Sequence, residues 1–253
     1  MKFQPRALAG AELSVLLLTV AAAWLATIVL ARDMGVMPGT MGLGFFGFVG
    51  MWTVMMAAMM LASVAPFASL YSRTMREHRT RRVASLELGY LAVWAATGVA
   101  AFVLAAGGDR LATRSPGIAQ AVAIGTCVAC GAYQLTPTKD RCLQHCRSPL
   151  GHLVRYTARS GPLVDFRVGI DHGAWCLGCC WALMLLLVTF GVMNVAAMLV
   201  LAAVIIVEKV VAPGRWFSIA VASAAFGLAV AIWIEPSLAP GLHAHSTMPM
   251  GGS

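Results

Sequence analysis

The chain alternates between long apolar runs and short polar stretches, and the apolar runs recur seven times. A helix needs roughly 20 apolar residues to cross the ~30 Å hydrocarbon core of a bilayer, and most of these runs approach that length. The pattern therefore predicts an all-α fold, a polytopic transmembrane helical bundle of about seven spans. The predicted spans cover residues 11–31, 43–65, 86–106, 118–135, 173–190, 193–207 and 216–234.

Breaks in the pattern predict how the spans begin and end. Residues 173–207 are too long for one span, so a hairpin is expected to turn near residues 191–194. Pro66 is expected to kink or end the second span, because proline lacks the N–H that a helix interior uses. A short amphipathic element is expected over residues 138–146, in the loop that precedes the fifth span.

Composition and the placement of charge support a membrane topology. Charged residues make up 11% of the 253 residues, well below the ~25% of an average soluble domain. The net charge of +8 by itself could indicate nucleic acid binding. However, when successive spans alternate in direction, all of the 18 Lys and Arg except Arg32, Arg110 and Arg114 fall on one side. This positive-inside bias predicts a cytoplasmic N-terminus, an external C-terminus and a lipid bilayer, not nucleic acid, as partner.

The predicted organisation is a single transmembrane helical domain over residues 1–234. A cysteine-containing cytoplasmic loop is expected at about 136–171, and an external His/Met tail, flexible and of open function, over 235–253. The first apolar run is longer than the core of a secretory signal, so it is interpreted as a retained anchor.

Five of the seven cysteines lie between residues 142 and 180. Cys142 and Cys146 are four residues apart and would share one helix face. His172, Cys176, Cys179 and Cys180 follow at i, i+4, i+7 and i+8, which is also one face. We expect these two faces to converge on one site for a soft metal ion. Because the predicted compartment is reducing, metal or redox chemistry is favoured over structural disulfides.

Methionines add a second sulfur pattern. Met55, Met56, Met59 and Met60 form two rows along the second predicted span, and Met193 lies at the predicted hairpin. Thioethers suit Cu(I), so these residues are candidate metal ligands together with the thiols. Methionine also packs well in apolar interfaces, and spacing alone does not separate the two interpretations.

Other chemistry-bearing residues are interpreted more conservatively. Cys127 and Cys130 form a C-x-x-C pair that could be a redox couple or a ligand pair, but their role as small buried apolar residues is favoured. Glu208 and Lys209 are interpreted as an ordinary interface pair at the inner end of the sixth span. Whether His145 takes part in a site is left open.

Three functions are compatible with these patterns. The leading one is metal handling without catalysis, in which Cu(I), or another soft metal, is held by thiolates and thioethers and passed to a partner protein. The second is a membrane thiol-disulfide oxidoreductase, which would use the C-x-x-C pairs but not the methionines. The third is a non-catalytic assembly subunit with incidental cysteines. No nucleotide loop, hydrolase triad or zinc-protease motif is present, so the chain is not expected to be an enzyme.

The same residues carry a family resemblance. The chain resembles the bacterial family of predicted metal-binding integral membrane proteins that includes the tyrosinase-associated membrane copper chaperone. The resemblance implies a multi-pass protein of the bacterial inner membrane that binds copper and helps to load a copper-dependent enzyme. The matching residues are Met51-Trp52, Met55-Met56 and Met59-Met60; Tyr133-Gln134, Thr136-Pro137, Lys139, Cys142-Leu143, Cys146-Arg147 and Pro149; His172-Gly173, Cys176, Gly178-Cys179-Cys180-Trp181 and Leu183-Met184; and Gly191, Met193-Asn194 and Glu208-Lys209.

Overall fold

The computed structural model describes residues 10–34, 39–72, 78–147, 161, 163–211 and 213–242. This part of the chain contains eight α-helices and no strand, which confirms the all-α prediction. A π-helical turn, Val207–Val211, extends the seventh helix, and two short 3-10 turns, Pro236–Leu238 and Pro240–Leu242, follow the eighth. The helices are α1 (Gly10–Met34), α2 (Phe45–Ser72), α3 (Arg79–Arg114), α4 (Pro116–Gln134), α5 (Pro137–Arg147), α6 (Val164–Phe190), α7 (Val195–Ile206) and α8 (Arg215–Ile234).

Within the described residues, six helices are long and apolar enough to cross a membrane, namely α1, α2, α3, α4, α6 and α8. The segment predicted as the sixth span is α7, which has 12 residues and is continued by the five-residue π-helical turn. At 1.5 Å per residue the two together reach about 25 Å, a little short of a ~30 Å hydrocarbon core.

The predicted hairpin lies between α6 and α7. Gly191 adopts a positive φ of 90°, a conformation that favours glycine. Asn194 then caps α7, since its side-chain oxygen accepts a hydrogen bond from the backbone N–H of Ala197 at 3.0 Å. The turn therefore returns the chain along α6, as the length of the apolar stretch predicted.

Three helices extend by seven or more residues beyond the predicted spans, and α3 does so at both ends of the predicted residues 86–106. Pro66 does not end the second span, because α2 continues through it to Ser72. The fifth span was expected from residue 173, but α6 begins at Val164. Its polar first turn is held by contacts with other helices: Asp165 pairs with Arg82 at 3.0 Å and accepts a hydrogen bond from Tyr71 at 2.7 Å. The short amphipathic element expected over residues 138–146 is α5.

Glycines let α3 and α6 pack with their backbones in close contact. A Cβ on Gly169 would lie 2.0 Å from the carbonyl oxygen of Leu86, and a Cβ on Gly89 would lie 2.0 Å from the carbonyl oxygen of Phe166. Small residues at such positions are typical of helix pairs in membranes, where close van der Waals packing drives association. This interface fixes α6, which carries four of the eleven candidate ligands: His172, Cys176, Cys179 and Cys180.

Helices α2 and α6, which carry four methionines and three cysteines predicted as ligands, are central. In the most apolar 18-residue segment of α2 and of α6, more than half of the residues are buried within the protein, compared with 17% in α1. The outward-facing residues of the peripheral helices are large and apolar, for example Leu18 and Trp233. A lipid-facing surface around a sulfur-rich interior is therefore consistent with the composition.

Candidate metal centre

α5 lies against the middle of α6 and brings its cysteines to that helix. A Cβ on Gly178 would lie 2.9 Å from Cys142 Sγ, so the glycine leaves the space that the thiol occupies. Tyr133, at the end of α4, donates a hydrogen bond to the carbonyl oxygen of Gly178. Thr136 supports the start of α5, since its hydroxyl accepts a hydrogen bond from the backbone N–H of Lys139 at 3.3 Å.

The structure brings together the two thiol faces that the sequence predicted. The Cys179 thiol lies within hydrogen-bonding reach of the thiols of Cys146, Cys176 and Cys180. Cys179 and Cys180 also donate to the carbonyl oxygen of Cys176, each at 3.0 Å. We call Cys142, Cys146, Cys176, Cys179 and Cys180 the thiol cluster. All five are free thiols.

The thiols of α5 are shifted towards their protonated forms. Burial raises the pKa of the Cys142 thiol, and the nearby Cys179 adds to the effect. A hydrogen bond to Cys179, together with burial, raises the pKa of the Cys146 thiol. Among the described residues, no group of three or more His, Cys, Asp or Glu side chains is spaced around a common centre as a preformed metal site would be. Instead, Cys179 and Cys180 donate to the carbonyl oxygen of Cys176, and Cys146 interacts with Cys179.

Lys209 enters the thiol cluster, which the sequence analysis did not anticipate. Its ammonium donates to Cys176 Sγ at 2.7 Å and to Ser63 Oγ at 3.4 Å. Tyr90 Oη lies 2.9 Å from the same sulfur. Lys209, Tyr90 and Cys176 are all buried. The Cys176 sulfur therefore has polar partners from two other helical segments, α3 and the π-helical turn, and Ser63 of α2 is linked to it through Lys209.

Glu208 and Lys209 do not form the interface pair that the sequence suggested. Glu208 instead forms a buried ion pair with Lys139 of α5, and its carbonyl oxygen accepts a hydrogen bond from Arg147 Nε at 2.7 Å. The reason is local geometry, because the two residues lie in a π-helical turn and their side chains diverge. A Glu-Lys pair that interrupts a long apolar run was the available signal for a buried role.

The histidines near the thiol cluster stack on aromatic rings. His172 lies on α6 and stacks on Phe67 of α2, with ring centroids 4.1 Å apart and an interplanar angle of 2°. It is tilted against Tyr90 at 6.1 Å. His145 of α5 stacks on Trp175 at 4.3 Å. His172 thus lies beside the residues that contact Cys176.

The predicted methionine ligands are buried on two separate elements. Met55, Met56, Met59 and Met60 are each 0% exposed on α2. The backbone of Met60 approaches the thiol cluster, since its carbonyl oxygen lies 3.5 Å from Tyr90 Oη. Met193 is buried in the turn after α6, about 20 Å along the helix from Cys176. An ion bound by Cys176 therefore cannot also be bound by Met193.

Cys127 and Cys130 are buried in α4 and interact with each other. The distal residues His243, His245, Met248 and Met250 of the predicted external tail lie outside the described residues, as do residues 148–160 of the predicted cytoplasmic loop.

Comparison with known proteins identifies the family. Residues 49–233, which include all eleven predicted metal ligands, match the PpoB2 family, described as copper chaperones. No curated protein and no solved structure gave a significant match. A copper chaperone carries its metal without catalysing a reaction, which confirms that the chain is not an enzyme. The chain belongs to the PpoB2 family of copper chaperones.

Proposed function

We propose that this protein is a membrane-embedded Cu(I) chaperone that holds its cargo in the thiol cluster. The observation that carries the proposal is the approach of the α5 thiols to the α6 thiols, through Cys146 and Cys179. Thiolates are soft ligands that suit Cu(I). A low coordination number is sufficient for this ion. Binding would replace S–H contacts by Cu–S bonds and release the thiol protons to solvent.

The proposed topology has seven spans, with the N-terminus in the cytoplasm and the C-terminus outside. Six of these spans are the long helices α1, α2, α3, α4, α6 and α8. The remaining span, which is the sixth in chain order, is α7 with its π-helical turn. The distribution of Lys and Arg supports this orientation, and the resemblance to a bacterial family supports the inner membrane. The loop that carries Cys142 and Cys146 then lies on the cytoplasmic side, where thiols stay reduced.

We assign graded roles to the eleven predicted ligands. The five cysteines of the thiol cluster bind the ion most strongly. His172, which packs against Tyr90, and the four buried methionines of α2 supply weaker ligands that permit exchange. Met193 belongs to a separate thioether position near the opposite end of α6. Such a gradient would let the ion leave for a recipient with stronger ligands.

The proposed recipient is a copper-dependent enzyme. The family description supports a delivery role, and delivery requires a second protein that accepts the ion. Lipid is the other partner, because the peripheral helices expose large apolar side chains.

Metal analysis of the purified protein tests this function. The wild type in detergent, under reducing conditions, is loaded with Cu(I), desalted and compared with a variant in which all five cysteines of the thiol cluster are serine. We expect roughly stoichiometric copper in the wild type only. Equal copper in both proteins would contradict the proposal. Wild type that binds no copper but forms reversible disulfides would favour a thiol oxidoreductase.

A further inference from the structure

Lys209 places a positive charge inside the protein, and no carboxylate among the described residues forms an ion pair with it. Its side chain is buried, and among the described residues the two ion pairs join other groups, Arg82 to Asp165 and Lys139 to Glu208. A charge taken out of water costs several kcal/mol unless other groups compensate it. The nearest candidate is the sulfur of Cys176, at 2.7 Å.

The adjacent ion pair does not supply this compensation. Glu208 is neutralised by Lys139, and both side chains are nearly inaccessible to solvent. Arg147 adds a further positive group close by, through its hydrogen bond to the Glu208 carbonyl oxygen. Among the described residues, the surroundings of Cys176 therefore hold more cationic groups than carboxylates.

Loading of a monovalent cation would balance this charge. When two thiols lose their protons and bind Cu(I), the resulting complex carries one negative charge, and no electron is transferred. The ammonium of Lys209 makes the total zero. A divalent cation on the same two thiolates is already neutral and leaves Lys209 uncompensated. Divalent zinc also prefers four ligands in a tetrahedron, and the described residues hold no preformed group of three.

We propose that Lys209 is the built-in counter-charge of a two-thiolate site that includes Cys176, and that it sets a preference for monovalent over divalent soft cations. This inference rests on the proposed function and specifies the cargo by its charge. Ser63 holds the ammonium in place: its hydroxyl donates to the Met60 carbonyl oxygen at 2.8 Å and is free to accept from Lys209. Lys209 is a positioning residue, since its nitrogen contacts the ligand sulfur and not the cargo.

The test compares two cations in purified protein. Ag(I), a monovalent ion that does not change oxidation state here, and Zn(II) are titrated into the wild type, Lys209→Met and Lys209→Arg. Lys209→Met removes the charge at similar length, and Lys209→Arg keeps it. We expect the ratio of Ag(I) to Zn(II) affinity to fall about tenfold or more in Lys209→Met, because unit charges a few Å apart interact strongly even in a protein interior. Lys209→Arg should retain the wild-type preference.

The outcomes are distinct. A ratio of Ag(I) to Zn(II) affinity that is unchanged in Lys209→Met, including the case in which both affinities fall equally, would overturn the inference. So would a ratio that falls as far in Lys209→Arg as in Lys209→Met. Wild type that binds neither Ag(I) nor Cu(I) would overturn the proposed function itself. If Lys209→Met does not yield a folded, monodisperse protein, Lys209→Gln replaces it. Ser63→Ala, which removes only a partner of the ammonium, should lower the same ratio by a smaller factor, and an unchanged ratio there would count against the inference.

Discussion

Two C-x-x-C pairs with the same spacing lie in this protein, Cys127/Cys130 on α4 and Cys176/Cys179 on α6. All four side chains are at most 2% exposed. Neither exposure nor spacing distinguishes them, and a motif search would treat them alike. Their surroundings are different, and that difference separates a candidate metal site from helix packing.

The α6 pair lies against polar, charged and thiol side chains from other helices. Cys179 is in reach of a third thiol from α5, and Cys176 contacts Lys209 and Tyr90. The α4 pair lies next to Gly131, where a Cβ would come within 2.8 Å of the Phe226 ring of α8. The charged groups within electrostatic reach of Cys130 are Lys139 and Glu208, which neutralise each other.

Replacing sulfur by oxygen in each pair tests most directly whether the two C-x-x-C pairs differ in function. We expect Cys176→Ser with Cys179→Ser to lower Cu(I) affinity by about 100-fold or more, because thiolates are the strong soft ligands. Cys127→Ser with Cys130→Ser makes the same chemical change in equally buried positions and is the matched control. Competition with a chromogenic Cu(I) chelator measures both. If the two double variants lose affinity equally, the α4 pair belongs to the site and the distinction drawn here is wrong.

Removing the α5 thiols is expected to have the next largest effect on Cu(I) affinity. Cys142→Ser with Cys146→Ser leaves the α6 thiols and Lys209 in place but removes the sulfur that reaches Cys179. We expect Cu(I) affinity to fall about tenfold, because two-coordinate binding within α6 remains available to a soft monovalent ion. The same chelator competition measures this. Unchanged affinity would show that α5 is not part of the metal centre.

Most of the fold could be predicted because the apolar runs are bounded by sharp polar signals. α8, Arg215–Ile234, begins and ends within one residue of its predicted span, and the turn at residues 191–194 follows from length alone. The start of α6 could not be predicted. Its first turns are polar, and they are helical because Asp165 contacts Tyr71 and Arg82 on other helices.

The candidate site shows the same limit. The convergence of Cys142 and Cys146 with the α6 cysteines could be predicted, because helical spacing fixes which residues share a face. The part played by Lys209 could not, since its partner Cys176 lies on another helix and the π-helical turn separates Lys209 from Glu208. Spacing predicts neighbours within one helix, but buried charge partners depend on how helices pack.

Substitution of the α2 methionines tests whether these buried thioethers bind the metal or only pack. Met59→Leu with Met60→Leu removes two buried thioethers of α2 at similar side-chain volume, which costs less than about 1.5 kcal/mol of stability per site. We expect Cu(I) affinity to fall about threefold, since thioethers are the weaker ligands. Met198→Leu, a fully buried methionine of α7 that is not a predicted ligand, is the control and should leave affinity unchanged. A double variant with wild-type affinity would mean that these methionines only pack.

The smallest effect on metal binding is expected at Gly131, beside the α4 pair. An added Cβ would meet the Phe226 ring, a side chain at 37% exposure that can turn outwards, so Gly131→Ala should lower the free energy of unfolding by about 1 kcal/mol. Gly169→Ala makes the same change against the backbone oxygen of Leu86, which cannot move aside, and should destabilise the protein far more. Thermal unfolding in detergent measures stability, and chelator competition measures copper. Gly131→Ala with lowered Cu(I) affinity and unchanged thermal stability would show that the α4 pair serves the metal and not the helix interface.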